Sequence, residues 1–230
     1  MLLSTPVPDS RDKKKFYFAD TSQRRALVAL ARFLFSLIME MEVKGLEHFP
    51  EQGPVIIAVN HVTDFDVFPI RFASPRLIFF MDKAELFKSP LMDWLLRNLS
   101  VFPVNRGEKD AWAMRHATKV LNHDLLLGMF PGGTRSKGRG LAVAKTGTAR
   151  LAIEANCPIL PMAVTGSDQF FKRFPRRARV QVKILSLLMP NLGESPLALT
   201  DRLMFTLAQA LPREMRGVYA EMLEGFEVPI

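Results

Sequence analysis

Two short segments of the chain carry side chains of the right types and spacing for chemistry. In Asn60-His61-Val62-Thr63-Asp64-Phe65-Asp66 a histidine stands five residues before a carboxylate. An imidazole near neutral pKa takes a proton from a hydroxyl, and a carboxylate on its other ring nitrogen fixes the tautomer and stabilises the imidazolium. If a helix starts at Thr63, Asp66 folds back toward the loop that carries His61. The same residues also suit a structural use, with Thr63 as an N-cap and Asp64 and Asp66 complementing the helix dipole. The second segment runs from Phe130-Pro131-Gly132-Gly133-Thr134-Arg135-Ser136 to Gly140. Adjacent glycines let backbone N–H groups approach an anion, Thr134 and Ser136 can donate, and the planar fork of Arg135 matches phosphate. Gly133 and Gly138 have the separation of a nucleotide-binding P-loop. Arg139-Gly140 stands where that loop needs Lys followed by Ser or Thr, so a nucleotide site is set aside. A solvated basic loop turned by glycines is the plainer alternative.

These segments need elements to hold them. Val55–Val59 reads as a buried strand, and Leu77–Phe80, Val101–Val104, Leu125–Phe130, Pro158–Val164 and Ala178–Leu185 read as further strands. Helices are expected at Leu91–Leu99, behind Ser89-Pro90, and at Glu108–Asn122, Thr148–Ala155, Leu197–Leu211 and Glu214–Glu224. The alternation argues a single α/β domain with a mostly parallel central sheet flanked by helices. Both chemical segments directly follow strands, where open α/β sheets place their ligands. Val104-Asn105-Arg106-Gly107 sets an arginine at the end of another strand.

The 230 residues include 48% hydrophobic and 23% charged side chains, a mixture that excludes a disordered chain or a multi-span channel. A formal charge of +8 invites anionic partners. The single cysteine, Cys157, excludes a disulfide scaffold. A cleavable leader is not expected from Met1–Ser10. Residues 13–15 and 24–25 are basic, and Leu27, Leu30, Leu34, Leu37, Ile38 and Met41 follow at near-helical spacing. Arg32 interrupts this stretch, which is too short to span a membrane. It suits an amphipathic helix lying in the interface of an anionic bilayer, or one packed on the body of the protein. The simplest division is a helical membrane-association segment over residues 1–41 and an α/β domain over 42–230.

Taken in order, these segments resemble the glycerophospholipid acyltransferase family, and most of all its 1-acyl-glycerol-3-phosphate (lysophosphatidate) acyltransferases. The family's first block, Asn-His followed by four residues and Asp, matches Asn60, His61 and Asp66. The arginine of its second block looks like Arg106. A Phe-Pro-Glu-Gly-Thr-Arg-Ser block aligns with Phe130–Ser136, and a proline-rich apolar strand aligns with Pro158–Val164. Lys145 and Gly147 also fall at usual positions. The chain departs from the pattern where the family has glutamate, which the comparison assigns to Gly133. This departure removes a carboxylate from the pocket and leaves Arg135 without a local partner.

The resemblance implies that His61, oriented by Asp66, deprotonates the free hydroxyl of a lysophospholipid, which attacks an acyl thioester. Arg106, Gly132, Gly133, Thr134 and Arg135 would bind the acceptor's phosphate. It implies no metal or bound cofactor, with acyl-CoA or acyl carrier protein as co-substrate. The partners would be the lysophospholipid acceptor, the thioester donor and an anionic membrane surface. The expected location is peripheral or monotopic, on the cytoplasmic side of a membrane. Three alternatives stand beside this: a catalytically weakened lipid- or anionic-surface-binding protein on the same fold, a thiol enzyme built on Cys157, and a basic nucleic-acid-binding module. The last would use Lys172–Arg179 but lacks a nucleic-acid fold signature, so no nucleic acid is expected. His116 and His123 read as ordinary polar-face residues.

Overall fold

The computed structural model describes residues 9–105, 110–136 and 138–220. Among them, strands β1 (Met39–Lys44), β2 (Val55–Val59), β3 (Ile78–Lys83), β4 (Val101–Val104), β5 (Leu126–Met129), β6 (Ile159–Thr165) and β7 (Ala178–Ile184) form one sheet. Helices α1 (Ser22–Ser36), α2 (Val67–Ala73), α3 (Pro90–Asn98), α4 (Ala111–Leu121), α5 (Gly147–Glu154) and α6 (Pro196–Ala210) cover it. The strand order is β1-β7-β6-β2-β5-β3-β4. From β6 to β4 every pairing is parallel, and β7 joins β6 antiparallel. The expected α/β architecture with a mostly parallel sheet is the one observed.

A parallel sheet hides both faces, so its central strands read as unbroken apolar runs. All five residues of β2 are buried. Ile56 and Ala58 join a core with α4, α5 and α6, whereas Val55, Ile57 and Val59 join a second core with α2 and the inner side of α1. The result is three layers, with the carboxyl ends of β6, β2 and β5 side by side at one edge.

Three expected elements differ. Helical spacing carries the amino-terminal helix to Met41, but α1 stops at Ser36 and Met39 begins β1. The sequence Met-Glu-Met-Glu-Val-Lys alternates strictly, and β1 pairs in parallel with β7, turning Met39 into the core. Period two wins because the edge of β7 supplies hydrogen-bond partners that a longer helix would leave unmet. The division at 41/42 therefore falls inside a strand. The helix expected from Glu108 begins at Ala111, capped by the Asp110 carboxylate, and residues 106–109 lie outside those described. The helix expected over Glu214–Glu224 is replaced, as far as residue 220, by single turns at Arg213–Met215 and Gly217–Tyr219. Gly217, at φ +53°, breaks the path between them.

The segment before α1 is pinned to the body. Arg11 grips Asp110 with two hydrogen bonds of 2.6 and 2.8 Å, and the Trp112 indole donates to Asp12 at 2.7 Å. Arg24, wholly buried, donates to the carbonyls of Asn98, Ala19 and Tyr17. His116 is not a polar-face residue. It is buried among Phe16, Phe102 and Trp112, and that burial, aided by the Lys119 cation, pushes its pKa down to about 4. It is a neutral core ring at ordinary pH. His123 is exposed and caps α4 through the Lys119 carbonyl. Burial likewise pushes the Cys157 thiol up to about 11, which leaves it protonated and unsuited to nucleophilic attack.

Candidate active site

As β2 ends, Asn60 extends its ladder by side-chain mimicry. Its amide donates to the Val164 carbonyl at 2.8 Å and accepts from the Val164 N–H at 2.7 Å, which clamps the end of β2 to β6. His61 comes next, its backbone carbonyl held by the Ser136 N–H at 2.8 Å. The imidazole lies flat on Phe130, with ring centroids 4.0 Å apart. Nδ1 is 2.9 Å from Asp66 Oδ2, and Nε2 has no hydrogen-bond partner among the described residues.

The helix expected from Thr63 starts instead at Val67, and Asp66 sits at its N-cap position without capping it. Its carboxylate is turned back into the preceding turn and is fully buried. Oδ2 accepts from the Val62 N–H (2.6 Å), the Thr63 N–H (2.9 Å) and His61, while Oδ1 accepts from the Thr63 hydroxyl (3.2 Å) and the Ser167 hydroxyl (2.5 Å). A buried carboxylate costs little only when its lone pairs are filled by donors, and here five fill them. With Oδ2 accepting two backbone N–H groups, its bond to His61 fixes the proton on Nδ1 and leaves the Nε2 lone pair to work. Ser167 was not legible in advance. It lies 101 residues from Asp66 and reaches it because β6 neighbours β2.

The 130–136 loop folds over the same site. Gly132 and Thr134 line a cavity with His61, whereas Arg135 lies across from Asp64 and forms an ion pair with it. Arg135 therefore has a local partner, contrary to the expectation from the missing glutamate. Lys145 covers Gly133, and the Gly133 N–H is spent on the Phe130 carbonyl at 2.9 Å, so Gly133 has no backbone donor to spare for an anion. Arg106 lies outside the described residues. The Asp110 carboxylate also accepts the Asn105 N–H at 2.8 Å. Burial alone would raise the Asp110 pKa, but Arg11 and the N–H groups of Asn105 and Ala113 outweigh it and hold it at about 2.

The position of the missing glutamate needs correction. Matched residue by residue, Phe-Pro-Glu-Gly-Thr-Arg-Ser puts glutamate on Gly132 and glycine on Gly133. The backbone agrees, because Gly133 has φ +68° while a Cβ on Gly132 would meet only the Thr134 carbonyl, at 3.9 Å. A side chain in the left-handed region costs about 1–2 kcal/mol. Gly133→Glu is thus expected to lower the melting temperature by about 2–8 °C, and Gly132→Glu to leave it unchanged. Equal melting shifts in the two purified variants would show that the loop does not hold this backbone shape.

His61 stands where two cavities meet. One, of about 450 Å³, runs between the sheet and helices α1, α2 and α3. Phe68, Phe72, Leu96, Leu99 and Val101 line its depth, with Arg135 and Lys83 among its charged residues. The other, of about 380 Å³, lies under the loop and is lined by Gly132, Thr134, Ser136, Gln169, Met204 and Met215. A reactant reaching in from either side would find Nε2 between them.

Comparison with known proteins bears on this arrangement. A family model described as Acyltransferase matches residues 40–165, which include both segments. The mouse 1-acyl-sn-glycerol-3-phosphate acyltransferase alpha is 27% identical over 70% of this chain and 58% of its own length. Proteins named 1-acyl-sn-glycerol-3-phosphate acyltransferase from Borreliella burgdorferi and Streptococcus pneumoniae are 31% and 32% identical, over 64% and 62% of this chain and 59% and 53% of theirs. The chain thus spans under two thirds of the length of these relatives. The crystal structure of the 1-acyl-sn-glycerophosphate (LPA) acyltransferase PlsC from Thermotoga maritima shares the fold. Its TM-score is 0.68 at 23% identity, covering 81% of this chain and 77% of that one.

Proposed function

The chain belongs to the acyltransferase family, and we propose that it moves a fatty acyl group from a thioester donor to the free hydroxyl of 1-acyl-glycerol-3-phosphate. The observation that carries this reading is the His61–Asp66 pair at 2.9 Å, with Nε2 left unengaged at the junction of two cavities. The names of the relatives support the choice of acceptor.

In the proposed reaction, His61 Nε2 takes the hydroxyl proton as the oxygen attacks the thioester carbonyl carbon. The C–S bond then breaks, and the departing sulfur receives the proton back from the imidazolium. Asp66 holds the ring and balances its transient charge. An acyl chain occupies the apolar cavity, whose wall of Phe68, Phe72 and Leu96 suits a hydrocarbon. Arg135 and Lys83 meet the acceptor's phosphate, joined by Arg106, the Thr134 hydroxyl and the Gly132 backbone. Holding both reactants beside one base removes much of the entropic barrier, an effect worth about 7–11 kcal/mol in well-oriented systems. The reading of weakened activity starts from the missing glutamate, and against it Asp64 supplies Arg135 with a carboxylate partner.

Among the described residues no helix is long and apolar enough to cross a membrane. Leu30, Phe33, Leu34 and Leu37 are exposed on and just after α1, and we place this face in the cytoplasmic interface of an anionic bilayer. A truncation at 41/42 would cut β1 and is unsuitable as a test. The reaction itself is tested by offering the purified protein radiolabelled acyl-CoA and acyl carrier protein thioesters with lysophosphatidate, other lysophospholipids and glycerol-3-phosphate. Label is expected in phosphatidate. Label confined to another acceptor would overturn the substrate assignment, and none in any product would overturn the enzyme.

A further inference from the structure

The connection from β6 to β7 is the most conspicuous part of the surface that the reaction leaves unused. Residues 171–177 are all exposed, and they include two large rings, Phe171 at 64% and Phe174 at 70%. Between and beside the rings stand Lys172, Arg173, Arg176 and Arg177, followed by Arg179 in β7, with no acidic residue from 171 to 179. Lys172 pairs with Asp168, whereas Arg173, Arg176, Arg177 and Arg179 have no ion pair among the described residues. A polar loop has no reason to hold two rings in water, and four unpaired arginines repel one another unless an anionic partner offsets them.

The root of the loop is packed on the body. Phe170 is buried and packs edge-on against Phe35 of α1, 5.6 Å between centroids. Phe171 meets Phe65 at 5.5 Å, and Phe65 lies in the turn between His61 and Asp66, where it also approaches Phe35 at 6.2 Å. One aromatic cluster therefore joins the loop, the catalytic turn and the helix with the exposed apolar face.

We propose that Phe171–Arg177 is a second membrane-binding element, a wedge whose two rings enter the interface of an anionic bilayer while its arginines bind lipid phosphates. It extends the membrane reading of α1 to a separate surface, and does not depend on which acceptor is acylated. Rings that insert among headgroups beside cations that stay at their level are the composition an anionic interface selects. Nucleic acid would need a groove that tracks a backbone, and here the rings stand exposed on a loop. The consequence is positional: a docked loop, joined through Phe171 and Phe65 to the turn between His61 and Asp66, holds that turn next to the bilayer surface.

The test uses the full chain and vesicles of phosphatidylglycerol and phosphatidylcholine in equal parts, against phosphatidylcholine alone. The triple variant Arg173→Ser, Arg176→Ser, Arg177→Ser should lose about a hundredfold in affinity for the anionic vesicles, at about fivefold per cation near such a surface. The double variant Phe171→Ser, Phe174→Ser should lose at least about tenfold in a manner that salt does not mimic. Both should keep their melting temperature and their acyl transfer to acceptor presented in detergent micelles, which separates this outcome from failure of the reaction. Unchanged vesicle binding in both variants overturns the proposal. Retention on DNA or heparin that falls in the triple variant while vesicle binding stays intact overturns it too, in favour of a nucleic-acid surface.

Discussion

His61→Ala is expected to lower kcat by about 10²–10⁴-fold in a protein that remains folded, which is what a positioned general base contributes. Among the described residues no other histidine lines the two cavities. Folding should survive because Asp66 keeps four of its five donors: the N–H groups of Val62 and Thr63 and the hydroxyls of Thr63 and Ser167. The imidazole also leaves its place on Phe130 at the meeting of two cavities, so free imidazole has a route to the vacated position. Kinetics with and without added imidazole should show a partial return of rate, and thermal melts should coincide. A variant that turns over like its parent would remove His61 from the mechanism.

Asp66→Asn should cut kcat by up to about 10⁴-fold, with little loss of structure. The amide oxygen can take the place of Oδ2, where it keeps the donors from His61, Val62 and Thr63. The amide nitrogen then faces the Thr63 and Ser167 hydroxyls, and each can rotate to accept rather than donate. Only the charge is removed, and with it the compensation of the imidazolium. Asp66→Ala, by contrast, leaves two backbone N–H groups buried without an acceptor and should melt lower, since each unsatisfied group costs about 1–3 kcal/mol. Steady-state rates and melts of the two variants separate charge from scaffold. Parent-like turnover in Asp66→Asn would mean that the histidine needs no counter-charge.

Much of this was legible in the sequence because the governing signals are local. An unbroken apolar run such as Val55–Val59 is what a strand covered on both faces requires, and β2 has those bounds. Ser89-Pro90 announces α3, and Asn60, His61 and Asp66 lie within one turn of chain. What escaped is what depends on distant chain. β1 was hidden because Leu34, Leu37, Ile38 and Met41 also satisfy a helical period, and only the open edge of β7 decides between them. Ser167 looks like any loop serine until β6 lies beside β2. Asp64 could be read as dipole complement but not as the partner of Arg135, 71 residues away. His116 occupies a polar-looking position on α4, and the rings that bury it come from two other segments, through Phe16 and Phe102. The misplaced glutamate is a different case, since the motif matched residue by residue already puts it on Gly132, and the backbone at Gly133 agrees.

The pairing of β1 with β7 also sets an order of events during synthesis. Glu42 and Gln181, hydrogen-bonded across these strands, are 139 residues apart. At about 5–20 residues per second, β1 leaves the ribosome roughly 7–28 s before its partner strand exists. Throughout that interval β1 has no strand to pair with, although Phe68 and Phe72 of α2, which pack on Phe35 of α1, are made much earlier. Completion of β7 gives β1 its partner, so among the described residues the strand that follows α1 is the last to be fixed in the sheet.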